Sequence, residues 1–226
     1  MSKAVPELSQ DEFIQQSTQI LNEGVENHYS KEYVTDQLFH LAYENKTTAA
    51  GLGFPVDPPT IKQKVVKPWY GDRKATGPDP QPGPEEEFEI IIHDEGGRNG
   101  SLFGGTLTVR KNDGGPAVTV PASSWPDKKE LNPGIKEGTY PSVYKINGHK
   151  NATVPGVQLN NNETVPTIGP NPVQNNKEFA DKIHIHKGGS ISRGSKGCQV
   201  IRAGSELEVW NKLSHGATGQ VTVERE

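Results

Sequence analysis

Two imidazoles and the only cysteine of the chain fall within one short stretch, Ile183-His-Ile-His-Lys-Gly-Gly-Ser-Ile-Ser-Arg-Gly-Ser-Lys-Gly-Cys-Gln-Val-Ile201. A thiol attacks as the thiolate and titrates near ~8.5 when free, so a nucleophilic Cys198 needs an imidazole or a positive charge beside it. About ten residues, many of them glycine, separate His186 from Cys198. That is short enough to bring the two within hydrogen-bond reach. Gly197 lets backbone approach a ligand closely, and the amides near Gly197 and Cys198 can form an oxyanion hole. His184 precedes His186 by two residues and shares its strand face, so it is a competing base or a supporting partner. A backbone carbonyl between Gly188 and Ser190, or Ser195, is expected to orient His186. Lys187, Arg193 and Lys196 surround the pair; they either contact substrate carboxylates or form a solvated loop surface.

A His-x-His pair with Cys198 or His215 would also supply three zinc ligands. No nearby carboxylate or second cysteine completes such a set, so neither a metal nor another cofactor is expected. His215 reads more simply as a helix-end residue near the negative pole of the helix dipole.

The elements that must hold these residues are mostly strands. Phe88, Ile90 and Ile92 alternate with Glu89, Ile91 and His93; Gly104 to Val109 and Ala117 to Val120 flank a turn at Asn112 to Gly115. Further strands are expected at Tyr140 to Ile146, Ile183 to His186 and Gly219 to Val223. Ser205 with Glu208 reads as the cap of a helix running to Leu213. Asn147 to Asn176, rich in Asn, Pro and Gly, is longer than an ordinary connection and reads as a binding loop or lid.

Upstream, Ser9 with Glu12 is a capping-box pattern ahead of Phe13, Ile14, Ile20 and Leu21 at helical spacing. Ser30 caps a second helix carrying Val34, Leu38 and Leu41. Between them and the strands, Pro55, Pro58, Pro59, Pro68, Pro78, Pro80, Pro82 and Pro84 exclude a long helix or a central strand. This stretch reads as a spacer pinned by Trp69 and Tyr70. The organisation is therefore residues 1–46 helical, 47–87 linker and 88–226 a β-rich catalytic domain.

Composition agrees: of 226 residues, 31% are hydrophobic, 25 are Gly and 18 are Pro, which suits short strands and many turns. With 24 basic against 28 acidic residues and a net charge of −4, the sequence carries no basic, aromatic-interleaved tract for nucleic acid. One cysteine forms no internal disulfide. No apolar run reaches the length of about 18 residues that a spanning helix needs. The start, Met1 to Phe13, does not read as a Sec signal peptide, so an enzyme acting outside the cytoplasm would need other machinery to carry it.

The segment resembles the L,D-transpeptidase catalytic signature: a strand-end histidine before a glycine, then Ser/Thr-x-Gly-Cys after a loop. His186, Gly188, Ser195, Gly197 and Cys198 carry the match. Gly138-Thr139-Tyr140 resembles the start of a strand common in these domains, and Gly219 to Val223 the closing one. Lys196 and Val200 stand where members usually have His and Asn or Arg, and the loop is shorter, as in compact phage and interbacterial-effector versions. The resemblance implies a β-rich sandwich or barrel over residues 88–226, with one or two short helices. It implies acyl transfer on peptidoglycan stem peptides, by transpeptidation or hydrolysis, with Cys198 as nucleophile and His186 as base. Ser195 and Gly197 would belong to the catalytic set beside them, and Lys187, Arg193, Lys196, Tyr140 and His184 would line the substrate site. The setting expected is a toxin-like effector made in the bacterial cytoplasm and acting in the periplasm or wall of a target cell. A type VI system or phage tail would carry it by docking residues 1–46, and an immunity protein would accompany it. The alternatives are a non-catalytic structural or wall-binding module of a phage tail or baseplate, and a cytoplasmic murein-peptide peptidase.

Overall fold

The structure is a computed structural model that describes residues 6–80, 88–94, 102–126, 132–149, 154–189 and 195–225. It divides into two compact units, Met1–Gln81 and Pro82–Glu226.

In the first unit, α1 (Gln10–Glu26) starts at a complete capping box, with Ser9 and Glu12 satisfying each other's backbone amides. The hydroxyl of Ser30 accepts from the Tyr33 amide and opens α2 (Lys31–Glu44). The expected spacer is instead helical: α3 (Lys46–Gly51), α4 (Pro58–Ile61), a π turn at Lys62–Val66 and α5 (Lys67–Tyr70). The prolines shorten these helices without excluding them. Pro58 occupies the first turn behind an Asp57 cap, where its missing N–H costs nothing. Pro68 cannot donate to the carbonyl one turn earlier, and the widened π turn precedes it. Ile61, Val66 and Tyr70 are buried, so this segment is core rather than linker. The Tyr70 hydroxyl donates to the Tyr29 carbonyl at 3.2 Å, and burial pushes its pKa up to about 12. The chain then returns to the helix starts: Ser30 donates to Asp79, and the Gly77 amide to the His28 carbonyl.

The second unit is a closed eight-stranded barrel, β1-β10-β4-β5-β8-β9-β3-β2, with a separate two-stranded hairpin β6–β7. The strands are β1 (Phe88–Asp94), β2 (Gly105–Lys111), β3 (Val118–Ser123), β4 (Gly138–His149), β5 (Val154–Leu159), β6 (Val165–Asn171), β7 (Lys177–Ala180), β8 (His184–Lys187), β9 (Gln199–Ile201) and β10 (Thr218–Arg225). The mostly β expectation is met. Alternation along β1 buries Phe88, Ile90 and Ile92, and inward residues on neighbouring strands complete the core. The barrel closes where β1 runs parallel to β10, with Phe88 opposite Gly219. A Cβ on Gly219 would stand 2.1 Å from the Phe88 carbonyl oxygen, so only glycine fits that seam.

Two expectations need correction. Asn147 to Asn176 is not one long loop, because it contributes the end of β4, all of β5 and β6, and a left-handed turn at Asn160–Asn162. The hairpin strand β6 carries Pro166 and Pro170 and still pairs on both edges, with β7 on one side and with Gly134 and Lys136 on the other. The helix after Ser205 is only α6 (Glu206–Trp210), and the Ser205 side chain makes no cap bond.

Candidate functional site

β8 and β9 run parallel, pairing Ile185 with Gln199, His186 with Val200 and Lys187 with Ile201. The two strands therefore run in the same direction. One consequence decides the geometry. Cys198, just ahead of β9, is level with His184, whereas His186 is level with Val200. Ile185 and Gln199 align with Val157 in the inner layer of the barrel. The two histidines and Cys198 consequently take the outer face.

The Ser-Lys-Gly-Cys turn is built by its own serine. Ser195 Oγ donates to the Cys198 carbonyl at 2.6 Å and accepts from the Gly197 amide at 3.1 Å. Gly197 has φ 138°, a conformation side chains resist. Its amide is thus committed to Ser195, which removes it from the expected oxyanion hole; the Cys198 amide takes no part in this bonding. Gly188 answers a different need. Its amide donates to the Ile201 carbonyl at 2.7 Å, and a Cβ there would meet Phe103 at 3.0 Å and that same carbonyl at 3.1 Å.

The sulfur of Cys198 is 3.9 Å from the Lys182 carbonyl. Burial raises the thiol pKa, and the His184 amide, by donating to the sulfur, offsets this in part. Cys198 as a residue is partly exposed. No hydrogen bond joins its sulfur to an imidazole among the described residues. The sulfur therefore rests on backbone groups, and the expected direct contact with His186 is not formed.

The imidazoles have fixed roles. His186 Nδ1 is 2.7 Å from the Lys187 carbonyl. A carbonyl only accepts, so Nδ1 carries the proton and Nε2 is the basic nitrogen. The orienting carbonyl is that of Lys187, just ahead of the expected Gly188 to Ser190 region; Ser190 itself lies outside the described residues. His184 is buried, and desolvation, then the charges of His186 and Lys182, lower its pKa to about 4. Its Nε2 is 3.0 Å from Asn162 Oδ1, and its Nδ1 is 3.0 Å from His149 Nδ1. A neutral His184 donates through Nε2 to the amide oxygen and accepts at Nδ1 from His149. His149 also stacks on His186, with ring centroids 3.9 Å apart and planes 9° from parallel. His184 is accordingly an anchor of this cluster rather than a base.

No family model, no curated protein and no solved structure matches this chain.

Sequence reasoning gave neither His149 nor Asn162 a place in the site. His149 reaches β8 because β4 bulges between Lys145 and His149 against β5. Gly148 and Gly156 allow the approach: a Cβ on Gly148 would be 2.6 Å from the Gly156 carbonyl, and one on Gly156 would be 3.2 Å from His149 Cβ. Asn162 belongs to the left-handed Asn160–Asn162 turn, with φ values of 49°, 52° and 69°, which asparagine tolerates best among non-glycine residues. A run of three asparagines was the available signal.

Of the other expected residues, Lys187 pairs with Glu206 at 2.6 Å while remaining exposed, and Lys196 is exposed beside the turn. Arg193 lies outside the described residues. Tyr140 is a packing residue: it is buried, its hydroxyl donates to the Lys136 carbonyl at 2.7 Å, and desolvation raises its pKa. His215 Nδ1 accepts from the Ile146 amide at 3.1 Å, which ties the turn after α6 to β4. Among the described residues no group of three or more His, Cys, Asp or Glu side chains is placed to hold a metal.

Proposed function

We propose that the barrel is a cysteine-dependent acyl-transfer domain of the L,D-transpeptidase type, acting on peptidoglycan stem peptides. The observation that carries this reading is the pairing of a serine-built turn carrying Cys198 with a neighbouring strand whose buried His186 has its Nδ1 fixed on the Lys187 carbonyl, which leaves Nε2 as its basic nitrogen. Substrate binding would bring sulfur and Nε2 together, and His186 would take the thiol proton. The thiolate attacks the carbonyl carbon of a diaminopimelate or lysine residue joined to D-alanine. A C–S bond forms, the amide C–N bond breaks, and the imidazolium gives its proton to the departing D-alanine amine. Water or a second amine then displaces the thioester and regenerates Cys198. Hydrolysis and transpeptidation differ only in that acceptor. Exposed Lys187 and Lys196 supply positive charge for the free carboxylates of a stem peptide.

The helical unit suits carrier docking, and the proposed setting is delivery to the wall of a target cell with a cognate immunity protein. Lysis of cells only when the chain is directed to the periplasm is the expected result; lysis without export would reject that setting.

A second reading, a non-catalytic wall-binding or tail module, is favoured by the raised thiol pKa and by the sulfur resting on backbone groups. Mass spectrometry of purified muropeptides incubated with wild type and Cys198→Ala separates the two. The enzymatic reading expects new products with wild type alone. Unchanged muropeptides in both samples support the module.

A further inference from the structure

At the end of the barrel where β1, β10 and β8 begin, a cleft of about 360 Å³ opens beside the left-handed turn. That volume falls in the roughly 300–1,000 Å³ range of small-ligand sites. Three residues that carry primary amides line it, Asn112, Asn161 and Gln220, together with Thr218 and Glu89. Phe88 also lines it. Asn112, Asn161 and Gln220 are exposed, and their amide groups make no hydrogen bond to the protein among the described residues. Each offers two donors and an acceptor. None of the lining residues is cationic, which argues against phosphate or carboxylate ligands, and the amide-rich rim argues against an acyl chain. A neutral ligand dense in hydroxyl and acetamido groups matches such a lining.

The cleft is tied to the thiol by one turn. One row of the ladder joins Phe88 to Gly219, Gly219 to Ser142 and Ser142 to Leu159, and the Leu159 amide donates to the Ile183 carbonyl at 2.9 Å. Ile183 precedes His184, which is level with Cys198. Asn161 lines the cleft, while its neighbour Asn162 holds His184 Nε2. We propose that this cleft is a saccharide subsite that takes the amino-sugar portion of a wall fragment while its peptide reaches Cys198. The assignment rests on the stem-peptide reading above, and names the part of the substrate that reading leaves unplaced.

The test is titration of the full chain carrying Cys198→Ala with a β-1,4-linked tetramer of N-acetylglucosamine, followed by NMR or calorimetry. Asn161→Gly keeps the left-handed backbone and removes the amide, and Gln220→Ala removes the facing one. Saturable binding, weakened at least tenfold by either substitution, is expected. No binding at millimolar tetramer, or binding that both substitutions leave untouched, overturns the subsite. Because the titration needs no thiol, it is scored separately from product formation by wild type on a sugar-free stem peptide. Turnover of that peptide without tetramer binding rejects the subsite alone; binding without turnover rejects the chemistry alone.

Discussion

Ser9, Ser30 and Asp57 each cap a helix by accepting from an amide three residues on, at 3.4, 3.0 and 2.9 Å. The barrel instead depends on meetings between residues far apart in sequence, such as Phe88 against Gly219 and the Cys198 turn beside β8. Damage to the Ser9 cap, whose side-chain bonds all run to Glu12, is expected to stay within one turn of helix. Damage where two barrel backbones touch has no local remedy, since interiors are close-packed and neighbouring strands share the displacement. The proposed chemistry sits in the second kind of region, whose precision comes from glycines rather than from caps.

The sharpest way to break this comparison is Gly219→Val. The added carbons collide with the Phe88 carbonyl, so the barrel is expected to lose more than about 4 kcal/mol of stability. Denaturant unfolding followed by tryptophan fluorescence in a Trp69→Phe background measures this, and an unchanged midpoint would refute the seam argument. The next largest effect is acidification. The folded chain keeps His184 neutral down to about 4, whereas an unfolded imidazole takes up its proton near 6.5. Stability from this group is complete above pH 6.5 and is lost as pH falls through about 4. His184→Gln should flatten the fall in Tm across that window, and an equally steep fall in the variant would assign it to other groups. A smaller effect is expected of Gly197→Ala, where φ 138° imposes on the order of 1–3 kcal/mol of strain. The amide signals of Ser195 and Cys198 should shift with it. Smallest is Ser9→Ala, expected to cost about 1 kcal/mol, with faster hydrogen exchange confined to the first turn of α1. Exchange spreading to α2 would show that the helical unit is less local than its caps suggest.

The same contrast explains what could be read from sequence. The caps at Ser9 and Ser30 were legible because their partners lie three residues away. The β1 alternation and the β2–β3 turn were legible for a similar reason. The segment from Pro55 to Tyr70 was misread as a spacer, since proline's penalty depends on its position within a helix and Pro58 and Pro68 occupy tolerated ones. Cys198 and His186 were recognised by residue type and spacing, but spacing does not reveal strand direction. The parallel pairing sets Cys198 beside His184 and His186 beside Val200. His149 was invisible because a bulge and two glycines bring it across from β4.

Intact-mass spectrometry of the protein quenched during incubation with a synthetic stem peptide ending in D-alanine tests the central claim most directly. Wild type should carry an acyl adduct on Cys198 equal to the peptide minus D-alanine, and His186→Ala should accumulate little or none. Release of D-alanine by a Cys198→Ala variant, or its release by wild type through hydroxylamine-insensitive chemistry with no adduct at any time, would contradict a thioester on this sulfur.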